Sequence, residues 1–101
     1  MVLKKMRNFA EEIECMPMIS VFLGLIIRMF YKEHNPPHIH VAYQGNEAIV
    51  NILDGTVMGG KLSDRNNRLI QAWIELHRDE LIANWELCRD GIEPIRIPPL
   101  Q

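Results

Sequence analysis

Three of the four histidines of the chain lie within seven residues, in the segment EHNPPHIHVAY at residues 33–43. His34 precedes a double proline, and His38 and His40 follow it with one residue between them. Imidazoles at this spacing can ligate a divalent metal ion or transfer protons near neutral pH. The prolines restrict the backbone, so the flanking histidines are held at a lower entropic cost than in a flexible loop. The sequence contains no Walker loop, dinucleotide-binding glycine pattern or serine elbow, so this segment is the candidate site.

The first interpretation of the segment is a metal site. As neutral imidazoles, His34, His38 and His40 would bind zinc or nickel in an open site, with an affinity that rises as the pH passes through about 6.5. A carboxylate ligand with comparable spacing is missing, and Glu33 and Glu47 are the nearest candidates. This interpretation predicts a metal-dependent hydrolase.

Two other interpretations stay open. In one, His38 or His40 acts as a general acid or base beside Arg28, which would stabilise the charge of a phosphodiester without a metal. The protein would then be a small nuclease. In the other, His38 and His40 fill a solvent-facing surface of a sheet, and the prolines only shape a loop. All three interpretations use the same histidines, so spacing alone does not separate them.

Alternation of apolar and polar residues predicts an antiparallel sheet around this segment. Ile39, Val41 and Tyr43 share one face of a strand. His38 and His40 project from the opposite face, because successive side chains of a strand alternate. The dipeptides Gly-Asn and Asp-Gly that follow are hairpin signals. Four strands are predicted, at residues 25–31, 38–44, 47–53 and 56–61.

The turn after the histidine strand sets the register of its hairpin. A two-residue turn at Gly45-Asn46 pairs residue 43 with 48, 41 with 50 and 39 with 52, and places His40 opposite Asn51. Arg28, in the preceding strand, would lie on the same side as the histidines. The candidate site therefore consists of Arg28, His34, His38, His40 and Asn51.

The second half of the chain predicts a long helix. Ser63 or Asp64 is a suitable N-cap, and Gly91 suits the position just past the C-terminus. Apolar residues between them recur at three- and four-residue steps, which predicts one helix, or two with a break near Arg78-Asp79. His77 lies in the apolar stripe, where a hydrogen-bonded structural histidine is expected. The predicted fold is α+β, an antiparallel β-meander of about four strands packed against a long C-terminal helix.

Composition limits the class of protein. The chain has 101 residues, of which 48% are hydrophobic and 24% charged, and its formal net charge is −2. This is a globular composition without the general basic surface that binding to RNA or DNA would favour. Cys15 and Cys88 form no disulfide framework or zinc motif, which favours a reducing cytoplasm. The apolar run at residues 15–27 is too short to span a membrane. Residues 1–15 are expected to be an N-terminal extension with a short amphipathic helix, and residues 16–101 a single domain.

Two long segments, MPMISVFLGLIIRMFYKEHNPPHIHVAY and ELHRDELIANWELCRDGIEPIRIPPL, resemble the bacterial domain-of-unknown-function family 4160. Members of that family open with Met-Pro-x-Ile-Ser, carry His-Asn-Pro-Pro-His-x-His-Val and end in a Leu-His-Arg helix and a Pro-Leu tail. The resemblance runs from Met16 to Leu100. It departs from the family at residues 1–15, which precede the usual start, and at Val21, where the family often has a basic residue.

The resemblance implies a partner rather than a reaction, since the family has no established activity. Its small proteins are often encoded beside another small protein, in an arrangement similar to toxin–antitoxin pairs. It therefore implies a cytoplasmic component of a two-gene module that binds the product of a neighbouring gene. By resemblance, His34, His38, His40 and His77 are all motif positions, which favours the histidine segment as a site. The enzyme interpretations remain the alternative.

Overall fold

The computed structural model describes residues 17–100 of the chain, so the helix predicted within residues 1–15 lies outside the described residues. The described part is an antiparallel sheet of five strands followed by one long helix. The strands lie side by side in chain order. The predicted α+β fold is confirmed, with five strands where about four were expected. Its elements are β1 (Met18–Phe22), β2 (Leu25–Arg28), β3 (His38–Tyr43), β4 (Asn46–Asn51), β5 (Val57–Gly60) and α1 (Asp64–Arg89).

The additional strand comes from a turn that the sequence pattern concealed. Leu23 and Gly24 both adopt positive φ, at 50° and 84°. Two such residues fit a hairpin turn whose twist matches that of the flanking strands. The apolar run before the histidine segment therefore folds back on itself as the hairpin β1–β2. Because Leu23 is an unusual residue for a positive φ, the turn carries little signal in the sequence.

The predicted register of β3 and β4 is wrong by two residues. The turn lies at Gln44-Gly45, with φ of 47° and 86°, and not at Gly45-Asn46. In the structure, His40 pairs with Ile49 and His38 pairs with Asn51. The side-chain period of a strand is two, so the shift leaves every side chain on the face that was predicted.

The helix packs on the apolar face of the sheet, as predicted. It begins at the N-cap Ser63, whose hydroxyl accepts from the backbone N–H of Asn66. It is kinked at His77 (φ −119°, ψ 21°), immediately before the predicted break. It ends at Arg89, and Gly91 (φ 77°) follows the C-cap, where the Ile92 N–H donates to Leu87 O at 2.8 Å and closes the last turn. The core shared by sheet and helix includes Ile19, Leu25, Ile27, Ile39, Val41, Val50, Ile52, Ile70, Trp73, Ile74 and Leu81.

The tail after the helix returns to the sheet. The indole N–H of Trp73 donates to Pro98 O at 2.9 Å, and the Ile97 N–H donates to Ile19 O at 2.8 Å. These bonds hold the proline-rich tail between the helix and strand β1. Within residues 17–100, none of the helical structure is both long and apolar enough to cross a membrane.

Candidate functional site

His38 and His40 lie on the face of β3 opposite the shared core, yet both are buried. Their residues are 7% and 8% exposed. The ring of Phe30 stacks on that of His40, with centroids 4.0 Å apart and planes inclined by 14°. The interpretation in which these histidines decorate a solvent-facing surface is therefore wrong. Buried polar side chains require partners, and those partners define the site.

His38 is held at both ring nitrogens. Its Nδ1 lies 2.8 Å from Pro36 O, and its Nε2 lies 2.8 Å from Glu33 Oε1. A backbone carbonyl can only accept, so Nδ1 carries a proton and donates it. Nε2 then faces a carboxylate oxygen at hydrogen-bond distance. Two acceptors cannot share that contact unless a proton or another cation lies between them. A proton shared between Nε2 and the carboxylate, or a metal ion bound by both groups, would account for this contact.

His40 lies between two carboxylates. Its Nε2 is 3.6 Å from Glu33 Oε1, and its Nδ1 is 3.4 Å from Glu47 Oε2. Both distances exceed the usual hydrogen-bond range, and neither buried ring nitrogen has a hydrogen-bond partner within residues 17–100. Leaving such groups unsatisfied costs about 1–3 kcal/mol each. A water molecule or an ion bound between His40 and the two carboxylates would satisfy these nitrogens.

One ligand atom from each of Glu33, His38 and His40 lies within 4.8 Å of the other two. In tetrahedral zinc sites, ligand atoms about 2.1 Å from the ion are about 3.4 Å apart. The two distances from Glu33 Oε1, 2.8 Å and 3.6 Å, lie on either side of that value. Two histidines and one carboxylate are a donor set that zinc and non-haem iron both use.

Helix α1 also contacts the cluster formed by Glu33, His38 and His40. The ring of Trp85 lies 5.0 Å from the ring of His38, and the Trp85 Nε1 is buried without a hydrogen-bond partner in the described part of the chain. The Lys32 N–H donates to Cys88 O at 3.1 Å, which ties the loop that carries Glu33 to the end of α1. Helix and loop together exclude water from one side of His38.

The structure brings together some of the predicted site residues. Arg28 pairs with His40 in the β2–β3 register and so lies on the same face of the sheet, as expected. Asn51 lies opposite His38 instead of His40. Its side-chain oxygen accepts from the backbone N–H groups of Leu53 and Asp54, at 2.7 Å and 3.3 Å. Asn51 therefore shapes the next turn and takes no part in the histidine cluster.

The other two histidines lie outside the cluster. His34 is exposed, and the group of close ligand atoms does not include it. Glu33, its neighbour, occupies the place that the three-histidine prediction gave to His34. His77 bonds to Glu80 through Nδ1, and its ring lies 5.6 Å from that of Trp73. This agrees with the structural role expected for His77.

Sequence reasoning missed three contributors to the site. The position of Phe30 could have been predicted, because it lies two residues after Arg28 and so continues the same strand face. Trp85 had none, because its approach to His38 depends on the path of the kinked helix. The Pro36 carbonyl belongs to the backbone, and only the folded shape of the loop directs it at a histidine ring.

A cavity of about 630 Å³ opens beside Glu47. Gly60, Lys61, Leu62 and Ser63 form much of its lining. Glu47 thus contacts the buried His40 ring through one oxygen while its side chain, 53% exposed, meets solvent.

The sequence motif and the fold can now be compared with known proteins. The model of the family described as a domain of unknown function (DUF4160) matches residues 24–86, more than half of the chain. The chain belongs to this family. The resemblance noted in the sequence is thereby confirmed, and the matched residues include β2, β3, the histidine cluster and most of α1. No curated protein and no solved structure matches the chain.

Proposed function

We propose that this protein binds a divalent metal ion, zinc in the first place, through His38, His40 and Glu33, and acts as a small hydrolase. The observation that carries the proposal is the contact between His38 Nε2 and Glu33 Oε1, at 2.8 Å, while His38 Nδ1 is already bound to Pro36 O. A metal ion bound by both groups would satisfy them, and it would also provide a partner for the Nε2 of His40.

The surroundings fit such a site. A metal-ligating histidine usually donates its other N–H to a carbonyl or carboxylate, and the Pro36 carbonyl fulfils this role for His38. Glu33 replaces His34 in the predicted ligand set, because His34 is exposed and lies outside the group of close ligand atoms. Three protein ligands leave a coordination position open, as catalytic zinc sites require. A bound zinc ion would supply Lewis acidity to a hydrolytic reaction.

Arg28 suggests the charge of the substrate. It extends from the same sheet face as His40, to which it is paired across β2 and β3. A fixed guanidinium beside a reaction centre stabilises negative charge that develops on an oxyanion. We therefore favour a phosphodiester or a similar anionic ester as the substrate class.

A metal titration tests the proposal directly. Protein treated with a chelator should take up one zinc ion per chain, measured by equilibrium dialysis and native mass spectrometry. His38→Ala and Glu33→Gln should lose this binding, whereas His34→Ala, which changes the neighbouring exposed histidine, should retain it. Hydrolysis of bis(p-nitrophenyl) phosphate should then require zinc and Arg28. Absence of zinc binding, together with metal-independent hydrolysis that His38→Ala abolishes, would favour the imidazolium–carboxylate acid/base alternative instead.

Strand β5 favours a second candidate function, protein binding within a cytoplasmic two-gene module. It lies at the edge of the sheet, and its Val57 and Met58 are 39% and 46% exposed. Exposed apolar side chains on an edge strand suit the addition of a strand from another protein. The candidate partner is the small protein encoded by a neighbouring gene, as the family resemblance implies.

Expression in a bacterial host separates the two functions. Growth arrest that disappears in the His38→Ala/His40→Ala variant would support the enzyme. Lack of toxicity, with co-purification of the neighbouring gene product that Val57→Lys abolishes, would support the partner role. Val21→Lys, on the opposite edge strand β1, is the matched control for that substitution because Val21 is similarly exposed, at 42%.

A further inference from the structure

Glu47 lies outside the group of three close ligands, but it is the carboxylate nearest to the second nitrogen of His40. In the β3–β4 register, His40 lies opposite Ile49, and Glu47 precedes Ile49 by two residues in β4. Residues in this diagonal relation share a face of the sheet and are within reach of long side chains. The Glu47 Oε2 lies 3.4 Å from His40 Nδ1.

We infer that Glu47 is a positioning residue for His40. Its carboxylate, 3.4 Å from Nδ1, attracts the proton of the ring to that nitrogen, so that Nε2 is the nitrogen directed at Glu33. The part of this inference that concerns metal affinity rests on the proposed function. The tautomer itself does not, because it is a property of the protein without metal.

The two nitrogens of His40 are not equivalent. Glu33 Oε1 already has a closer partner, His38 Nε2 at 2.8 Å against 3.6 Å for His40 Nε2. Glu47, by contrast, has no competing imidazole within the described contacts and lies closer to the ring, at 3.4 Å. The stacked Phe30 ring holds the imidazole plane, so the ring cannot tilt freely between its neighbours. The proton is therefore expected on Nδ1.

The same arrangement occurs at both histidines. His38 donates from Nδ1 to the Pro36 carbonyl and directs Nε2 at Glu33. His40 directs Nδ1 at the Glu47 carboxylate, at the longer distance of 3.4 Å. Both rings therefore direct their Nε2 atoms at one carboxylate oxygen, Glu33 Oε1. Second-sphere acceptors of this kind fix ring orientation and raise ligand basicity, and their loss weakens metal binding about 10–100-fold.

Nitrogen NMR of the full chain tests the inference. With ¹⁵N-labelled protein at pH 8, long-range ¹H–¹⁵N spectra report which nitrogen of His40 carries the proton, with and without added zinc. The wild type should show Nδ1–H in both states. Glu47→Ala should lose this preference and bind zinc about 10–100-fold more weakly. Glu47→Gln keeps an acceptor oxygen and should restore the tautomer, with a smaller loss of affinity. Glu86→Ala, an exposed carboxylate on α1, is the matched control.

The outcomes distinguish this inference from the proposed function. An Nε2–H tautomer in the wild type, or an unchanged tautomer in Glu47→Ala, overturns the role of Glu47 whether or not zinc binds. A wild type that binds no zinc but loses its Nδ1–H preference in Glu47→Ala refutes the metal site and supports the positioning role. Circular dichroism of each variant checks that the sheet and helix are intact, and the wild-type tautomer decides the matter if a variant fails to fold.

Discussion

Zinc should stabilise the folded protein, and the size of the effect can be worked out in advance. A ligand that binds only the native state at 100 times its Kd stabilises it by about 2.7 kcal/mol. For a domain of this size, 1 kcal/mol corresponds to a shift in Tm of about 4–8 °C. Saturating zinc should therefore raise the Tm of the wild type by about 10–20 °C, measured by differential scanning calorimetry against the same protein in chelator.

Substitution of His38 should abolish most of this shift. If His38→Ala weakens zinc binding 100-fold, the same zinc concentration equals the new Kd and stabilises by only about 0.4 kcal/mol, or about 2–3 °C. The variant also loses two contacts at 2.8 Å, which lowers the Tm in chelator by its own amount. The comparison must therefore be between shifts, not between absolute Tm values.

Two variants sharpen the comparison. Glu33→Gln keeps an oxygen that can bond to His38 but removes the charge, so it should retain most of the metal-free stability and lose the zinc shift. His34→Ala removes an exposed imidazole of the same loop and should keep the full shift. An equal shift in wild type and His38→Ala, or loss of the shift in His34→Ala, would refute the ligand assignment.

Four further predictions concern the packing of the sheet, the helix and the tail. Asn84→Ala should lower the free energy of unfolding in urea by about 2 kcal/mol, because its buried amide donates to the tail backbone at 2.8 Å and accepts from it at 2.9 Å. Gly60→Ala should cost more than about 2 kcal/mol in the same assay, since Gly60 has a φ of 70° and an added Cβ would clash with the backbone oxygen of Glu47; a milder effect would mean that β5 can shift. Burial raises the pKa of the Cys88 thiol from 9.0 to about 11, so in a Cys15→Ser background it should react with a disulfide reagent at pH 8 about 100-fold more slowly than in denaturant. Because the folded pKa is the higher one, stability should fall as the pH rises from 9 towards 11.

Much of the fold followed from local chemistry that acts within a few residues. The cap at Ser63 and the terminating Gly91 are both decided by neighbours in the chain. The missed hairpin β1–β2 had no such signal, because its turn places Leu23, a residue that seldom takes positive φ, at a position where glycine or asparagine is expected.

The site was less predictable because its contacts come from four separate elements. The sequence indicated His38 and His40 through their spacing and Arg28 through its strand position. It could not show which of the adjacent residues His34 and Glu33 lies close to His38 and His40, because the folded shape of the loop decides that. That choice depends on how residues 29–37 pack against the end of α1, where the Lys32 N–H bonds to Cys88 O. Contacts between residues so far apart in the sequence depend on the whole fold.

The error in the β3–β4 register shows why the histidine face was nevertheless predicted correctly. Moving the turn from Gly45-Asn46 to Gln44-Gly45 shifts every pair by two residues, which changes the neighbour of His40 from Asn51 to Ile49. A shift of two preserves the face, whereas a shift of one would have turned the histidines into the apolar core. The strong alternation of apolar and polar residues in β3 excludes the one-residue error, because that error would turn both imidazoles into the apolar core between sheet and helix. It does not exclude the two-residue error, because that error only replaces each cross-strand partner with the residue two positions away on the same face. That same shift brings Glu47 from its predicted place opposite Gln44 to a diagonal contact with His40, so the carboxylate that we assign to positioning the ring becomes visible only when the true register is known.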